Sequence, residues 1–372
     1  ATRFTREQTS FKQCLSGALY DWANSVFVTV VMAAFFPDFF KKFWAASLSP
    51  AEASAWRLNA VSLVSVLVIF LLPLLSTLAE QRGHKKRWLG LGVVMGASAC
   101  FALGFVPINH WQMALVLYFV ACLSLYLGLG FYDSLLVSVA DARDEHQLEK
   151  TSSLGFSLGY LAGGLMLALN AAMILKPDWF GFADTAEDKA RAVQIAFMIA
   201  GVWWLVFTLP LLWFVPERPL GAPVLATPPL REAIPAAFSA LWQTVKRIAN
   251  TKSLGLFLLA YWLYIDGVDT IFLMAVDYGG DLGFATGDLI AALLIAQIVG
   301  FPATMGMYWL SEKLGTVRVL LLAIVIYGGV TIWAYWLQTV QQFWVMAAVI
   351  GLVQGTLQAL SRAHFARQVP PE

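Results

Sequence analysis

One stretch of polar residues occurs twice in this chain. Tyr20-Asp21-Trp22-Ala23-Asn24-Ser25-Val26-Phe27 lies in a long apolar run, and 245 residues later the chain reads Ile265-Asp266-Gly267-Val268-Asp269-Thr270-Ile271-Phe272. Aligned, the copies share Asp-x-x-(Asn/Asp)-(Ser/Thr)-(Val/Ile)-Phe, with Tyr20 and Tyr264 just ahead. A carboxylate in such a run costs roughly 2.5–3.5 kcal/mol at a bilayer centre. Three-residue spacing puts Asp21 with Asn24, and Asp266 with Asp269, on one helix face. Asp133 is a fourth acid inside an apolar run, and the cations all fall outside the middle of such runs. A carboxylate without a partner there takes up a proton, or faces water or a cationic ligand. The chemistry implied is proton coupling or binding of an ammonium group. A dedicated anion carrier would want an intramembrane arginine. The plainer reading is that these acids bond helix ends or backbone and fix packing. Asn24, Ser25, Thr270, Gln297 and Gln358 offer neutral hydrogen bonds to a central cavity, or simple glue between helices. Tyr20, Trp22, Tyr132 and Tyr264 adjoin the acids and are candidate walls, with cation–π contact to an ammonium as one use and packing as the other.

The elements that must hold these residues are membrane helices. Apolar residues make up 59% of the 372 and charged residues 13%; mean hydropathy is +0.71. Soluble domains run nearer 45–50% and about 25%. Ten apolar runs predict spans at about 15–37, 57–79, 88–107, 111–135, 151–175, 192–215, 253–276, 286–309, 317–337 and 341–361. Period-2 alternation is absent, which favours helices over a barrel. With the N-terminus cytoplasmic, 18 of the 24 lysines and arginines fall on the inner side and 6 on the outer. The N-terminus is therefore expected inside, in a cell (inner) membrane. The start has no signal-peptide layout. The three cysteines, Cys14, Cys100 and Cys122, are scattered and read as free buried thiols. No cofactor motif, metal-ligand spacing, enzyme signature or nucleic-acid patch is present, so the expected partners are a small-molecule substrate, protons and the lipid bilayer, with the chain a monomer.

The organisation predicted is a six-helix bundle over 1–216, a linker over 217–252 and a second bundle over 253–372 with four spans. The linker opens on Pro-Glu-Arg-Pro and carries Pro223, Pro228, Pro229 and Pro235. From 234 to 250, Phe238, Leu241, Trp242, Val245 and Ile248 have helical spacing, which predicts a short amphipathic helix on the cytoplasmic membrane surface.

A second repeat lies between spans two and three and between spans eight and nine. Both copies fit x-x-Leu-x-Glu-x-x-Gly followed by cations: Glu80, Gly83 and Lys85 in the first, Glu312, Gly315 and Arg318 in the second. This turn resembles the signature loop of the major facilitator superfamily. The span-one string, Tyr264 just ahead of Asp266-Gly267 in span seven, and Gly155, Gly159, Tyr160, Gly163 and Gly164 in span five are similar to the vacuole-effluxer-like branch, whose fungal members are associated with release of amino acids from the vacuole. Both turns carry Glu where the superfamily more often has Asp, and Ser76 and Tyr308 replace its leading Gly.

The resemblance implies an all-helical bundle of two pseudo-symmetric six-helix halves, with the last two spans apparently missing from this chain, which starts at Ala1 without Met. It implies secondary transport of a small polar solute by alternating access, an amino acid first, with a sugar or organic cation as the alternative. A non-transporting receptor or assembly factor on the same fold is the alternative from another class. It also implies that Glu312 meets the N-terminal turn of span five near 151–154, where free amides favour an anion, and that Glu80 does the same for span eleven. The four-residue spacing of Gly155, Gly159 and Gly163 reads as a packing face, with Ala292, Ala296 and Gly300 of span eight as its predicted counterpart.

Overall fold

In the computed structural model, residues 11–82, 84–139, 145–217 and 230–368 are described. Among them, ten helices are long and apolar enough to cross a membrane. We label the helices α1 (Lys12–Trp44), α2 (Pro50–Arg82), α3 (Lys85–Ala102), α4 (Trp111–Val139), α5 (Glu145–Leu175), α6 (Ala186–Phe214), α7 (Leu230–Asn250), α8 (Lys252–Asp281), α9 (Thr286–Leu314), α10 (Thr316–Ala334) and α11 (Val340–Gln368). All but α7 are spans.

The first span overruns its predicted end. It continues past Pro37 to Trp44, changing to a wider π-type winding at Phe27–Phe35 and Phe40–Trp44. Proline removes one backbone donor and normally ends a helix. Here the residues beyond it are fixed by an aromatic cluster: Phe36 stacks on Tyr118 at 3.8 Å, while Trp44 packs against Phe39 and Phe197. Tertiary packing overrides the local break.

The linker helix α7 begins at Leu230, four residues earlier than expected, and runs through Pro235. Ile234, Phe238, Trp242 and Val245 form one exposed stripe on it, and Lys246 lies over the Trp242 ring.

Helix α5 sits between α1 and α9, in contact with both along its length. The expected contact of spans five and eight is present, but its register differs from the prediction. Gly155, Gly159 and Gly163 face α1: a Cβ at these positions would run into Asp21, Ser25 and Thr29 respectively, residues that are themselves four apart. The contact with α9 uses the neighbouring stripe. Gly164 faces Gln297, Gly300 receives the Tyr160 ring, and Ser157 Oγ donates to Phe301 O at 2.6 Å. Ala296 packs instead on Gly351 of α11. A helix flanked on two sides carries two stripes of small residues, and the more regular one serves the polar face of α1.

Candidate functional site

Asp21 is buried, but it is not alone. Arg362 of α11 reaches it with both terminal nitrogens, Nη2 to Oδ2 at 3.0 Å and Nη1 to Oδ1 at 3.4 Å. Tyr132 of α4 donates its hydroxyl to Oδ2 at 2.8 Å. Arg362 Nη1 also stands 3.6 Å from Oδ1 of Asp133. The rest of the guanidinium is satisfied by Ser152, through Nε to Oγ at 2.8 Å and Nη2 to the backbone oxygen at 3.1 Å. Its face is covered by the rings of Phe156 and Tyr132.

This corrects the expectation that the membrane acids lack a cationic partner. Arg362 counts among the cytoplasmic cations by position, yet its long stem carries the charge into the bundle, and its side chain is 8% exposed. A planar fork that meets a carboxylate with two bonds is what arginine offers and lysine does not. Gly155 makes the pair possible, because a side-chain carbon there would overlap Asp21 Oδ2 and crowd Arg362. Sequence reasoning missed Arg362 and Ser152. The available signal was that Arg362 directly follows the last residue of a predicted span, within reach of its interior through a long side chain.

The cluster holds two carboxylates and one guanidinium, so it carries one net negative charge when all three are ionised. Asp21 is sealed, whereas the Asp133 side chain is 52% exposed and so reaches the space between the helices. Tyr264 of α8 is tied to Ser361 Oγ, the neighbour of Arg362, at 2.5 Å.

One to two turns further along α8, Asp269 is half-buried with Gln358 of α11 as its side-chain neighbour. Tyr126, Tyr160, Tyr261 and Tyr327 stand within electrostatic reach of it, and Tyr327 Oη donates to Val268 O at 3.2 Å. Tyr261 is also within reach of Asp133 and Arg362. Tyr261, edge-on to Tyr264 at 5.5 Å, is thus within electrostatic reach of both the ion-pair cluster and Asp269, another residue that sequence reasoning missed.

The other predicted residues are less directly engaged with these groups. Asp266, the repeat-mate of Asp21, is exposed, and no partner for it is found among the described residues. Asn24 spends its amide on Tyr20 O of its own helix at 2.8 Å. Tyr20 packs on Tyr132, with ring centroids 4.7 Å apart. Trp22 turns away from the acids and stacks on Trp203 of α6 at 5.4 Å, a packing role.

In the second signature turn, Gly315 adopts φ +88, which glycine alone tolerates easily, and Arg318 is exposed. Glu312 accepts from Tyr308 Oη at 2.6 Å and stands 3.6 Å from His146 in the first turn of α5, and no contact of it with residues 151–154 is found among the described residues. The contact is made in the opposite direction: Glu149 of α5, 3% exposed, accepts from Ser311 Oγ at 2.9 Å and from Thr316 Oγ1 at the first residue of α10. A carboxylate at a helix N-terminus is the expected electrostatic arrangement, supplied by the other partner. Gly83 and the Glu80 side chain lie outside the described residues. The backbone amide of Lys85 is bonded by Glu217.

Residues 50–372 match the family model described as vacuole effluxer Atg22 like. The chain belongs to that family. It is 35% identical over 370 residues to the uncharacterized MFS-type transporter YxiO of Bacillus subtilis, covering 99% of this chain and 82% of that protein. It is 25% identical over 251 residues to autophagy-related protein 22 of Yarrowia lipolytica, a match that spans 59% of this chain and 40% of the fungal protein. Among solved structures it is similar to the major facilitator superfamily proton:xylose symporter XylE bound to 6-bromo-6-deoxy-D-glucose, with a TM-score of 0.64 and 13% identity over 96% of this chain and 85% of that one. Family and fold together make the chain an MFS-type transporter and a multi-pass membrane protein of the all-helical major-facilitator architecture.

Proposed function

We propose that this transporter moves a small polar solute, with an amino acid as the leading class, by proton-coupled alternating access between a bundle over 1–216 and a bundle over 253–372. The observation that carries this reading is the Asp21–Arg362 pair with Asp133 beside it, because it joins the first and fourth spans to the tenth. A second carboxylate gives the guanidinium somewhere to go. When the Asp21 bond breaks, Arg362 can move to Asp133, and the contact between α1 and α11 loosens; its return restores the contact, and a proton taken up by the cluster is the proposed trigger. The charged and titratable groups facing the cluster are Asp21, Tyr132, Asp133 and Arg362, with Tyr261 and Tyr264 from α8.

Asp269, Gln358 and the surrounding tyrosines are the proposed substrate site. A carboxylate, an amide and phenol rings suit an ammonium group and its polar substituents. This reading takes the N-terminus to be cytoplasmic, as the excess of lysine and arginine on that side favours, and the chain to act as a monomer in the cell membrane. Glu312, Gly315 and Arg318, with Glu80, Gly83 and Lys85, would then set the turns that open and close the inner side.

The test is ligand-induced thermal stabilisation of the purified chain across amino acids, sugars and organic cations at several pH values, with Asp269→Asn and Asp21→Asn alongside. Stabilisation by one amino-acid class, lost in Asp269→Asn and made pH-independent in Asp21→Asn, is the expected result. Stabilisation by sugars alone would discard the substrate class, and no ligand response with intact folding would favour a receptor or assembly role.

A further inference from the structure

A second group of buried charges joins helices from the two sides of the α7 linker at the other end of the bundle. Asp277 near the end of α8 is 5% exposed and accepts from two cations: Lys41 Nζ at 2.6 Å from α1 and Arg57 Nη2 from α2. Lys41 is 20 residues along α1 from Asp21, at most about 30 Å at the rise of an α-helix. Arg57 is among the largest fully buried side chains, at 1% exposure, and its Nη1 has no hydrogen-bond partner among the described residues. Tyr118, whose hydroxyl has the Cys122 thiol as its side-chain neighbour, stands within electrostatic reach of Arg57. Nothing in helix packing requires a guanidinium here, and removing one partner of such a group strands a charge at several kcal/mol.

The group inverts the cluster at Arg362. There the first six spans supply two carboxylates and α11 supplies the cation; here they supply two cations and α8 supplies the carboxylate. Each group ties helices from before the α7 linker to helices after it. Resting on the alternating-access reading, we propose that Lys41, Arg57 and Asp277 form a lock that holds the end of the bundle opposite Arg362 closed and must break for the transporter to open there. Two donors competing for one carboxylate make it breakable: as Asp277 leaves, Lys41, which is 22% exposed, reaches water, and Arg57 keeps Tyr118 as a neighbour.

Cys122 is a native reporter. It lies one turn along α4 from Tyr118, with Tyr126 one turn further toward Asp269, and it is fully buried. Opening at Asp277 exposes this stripe. Cys100 is an internal control, since it is buried and bonded to Phe197 O at 3.3 Å between α3 and α6.

The experiment measures maleimide labelling rates of Cys122 and Cys100 in the purified full chain, with no substrate needed. Asp277→Asn should accelerate Cys122 about tenfold or more while leaving Cys100 unchanged. Arg57→Gln combined with Asp277→Asn strands no buried guanidinium and should behave likewise, and the swap of Arg57→Asp with Asp277→Arg should restore slow labelling. Unchanged Cys122 in both neutralised variants would overturn the lock, and so would equal acceleration of both cysteines, which would assign the triad to packing. Arg362→Gln distinguishes this from failure of the alternating-access reading. It weakens the opposite end and should leave Cys122 at or below the wild-type rate, whereas acceleration there would contradict alternation itself.

Discussion

At the scale of single residues, the molecule turns on how a carboxylate is kept in a membrane. Asp21 and Asp266 occupy equivalent places in the repeat, yet one is sealed in a forked ion pair and the other is exposed. The repeat was legible because its residue types recur at fixed spacing. The difference in role was not, since it depends on Arg362, which is distant in sequence and sits among residues that read as cytoplasmic. Removing one partner of a buried pair costs about 3–5 kcal/mol, so Arg362→Leu should lower the melting temperature sharply. Combined with Asp21→Asn, which removes the stranded carboxylate, it should recover part of that loss. Equal melting of the single and double variants would show that the pair contributes nothing net. Asp266→Asn, at an exposed site, should melt within about 0.5 kcal/mol of the parent.

At the scale of elements, the glycines of α5 are explained by what they face. The four-residue spacing was readable as a close helix contact, but spacing alone does not name the neighbour, and the polar stripe of α1 proved to be it rather than the small stripe of α9. Gly155→Ala would press a methyl group into Asp21 and Arg362, and overpacking costs about 1–3 kcal/mol. Gly328→Ala, where nothing lies within 4 Å, should be neutral or slightly stabilising in α10. Comparison of the two melting temperatures checks this; equal effects would remove the steric account. The Glu149 contact was missed for a related reason: the sequence marked the turn around Glu312 and Gly315, and the acid that serves it comes from the other half. Glu149→Ala should cost about 1–3 kcal/mol by removing the buried acceptor of the Ser311 and Thr316 hydroxyls, whereas Glu312→Ala, at an exposed position, should cost much less.

At the scale of the whole molecule, the ten spans and the linker helix were legible because apolar length is set by the bilayer. The misplaced end at Trp44 is where packing carries a helix through a proline. Two charge clusters of opposite excess sit at opposite ends of this bundle and join the same two groups of helices. Such an arrangement suits a machine that opens one end at a time. The most direct measurement is proton flux in proteoliposomes, driven by addition of the amino acid that gives the largest thermal stabilisation. The account predicts flux in the parent chain and none in Asp21→Asn or Arg362→Gln, with substrate binding retained through Asp269. Undiminished proton flux in both variants would contradict the coupling role of the Asp21–Arg362 pair.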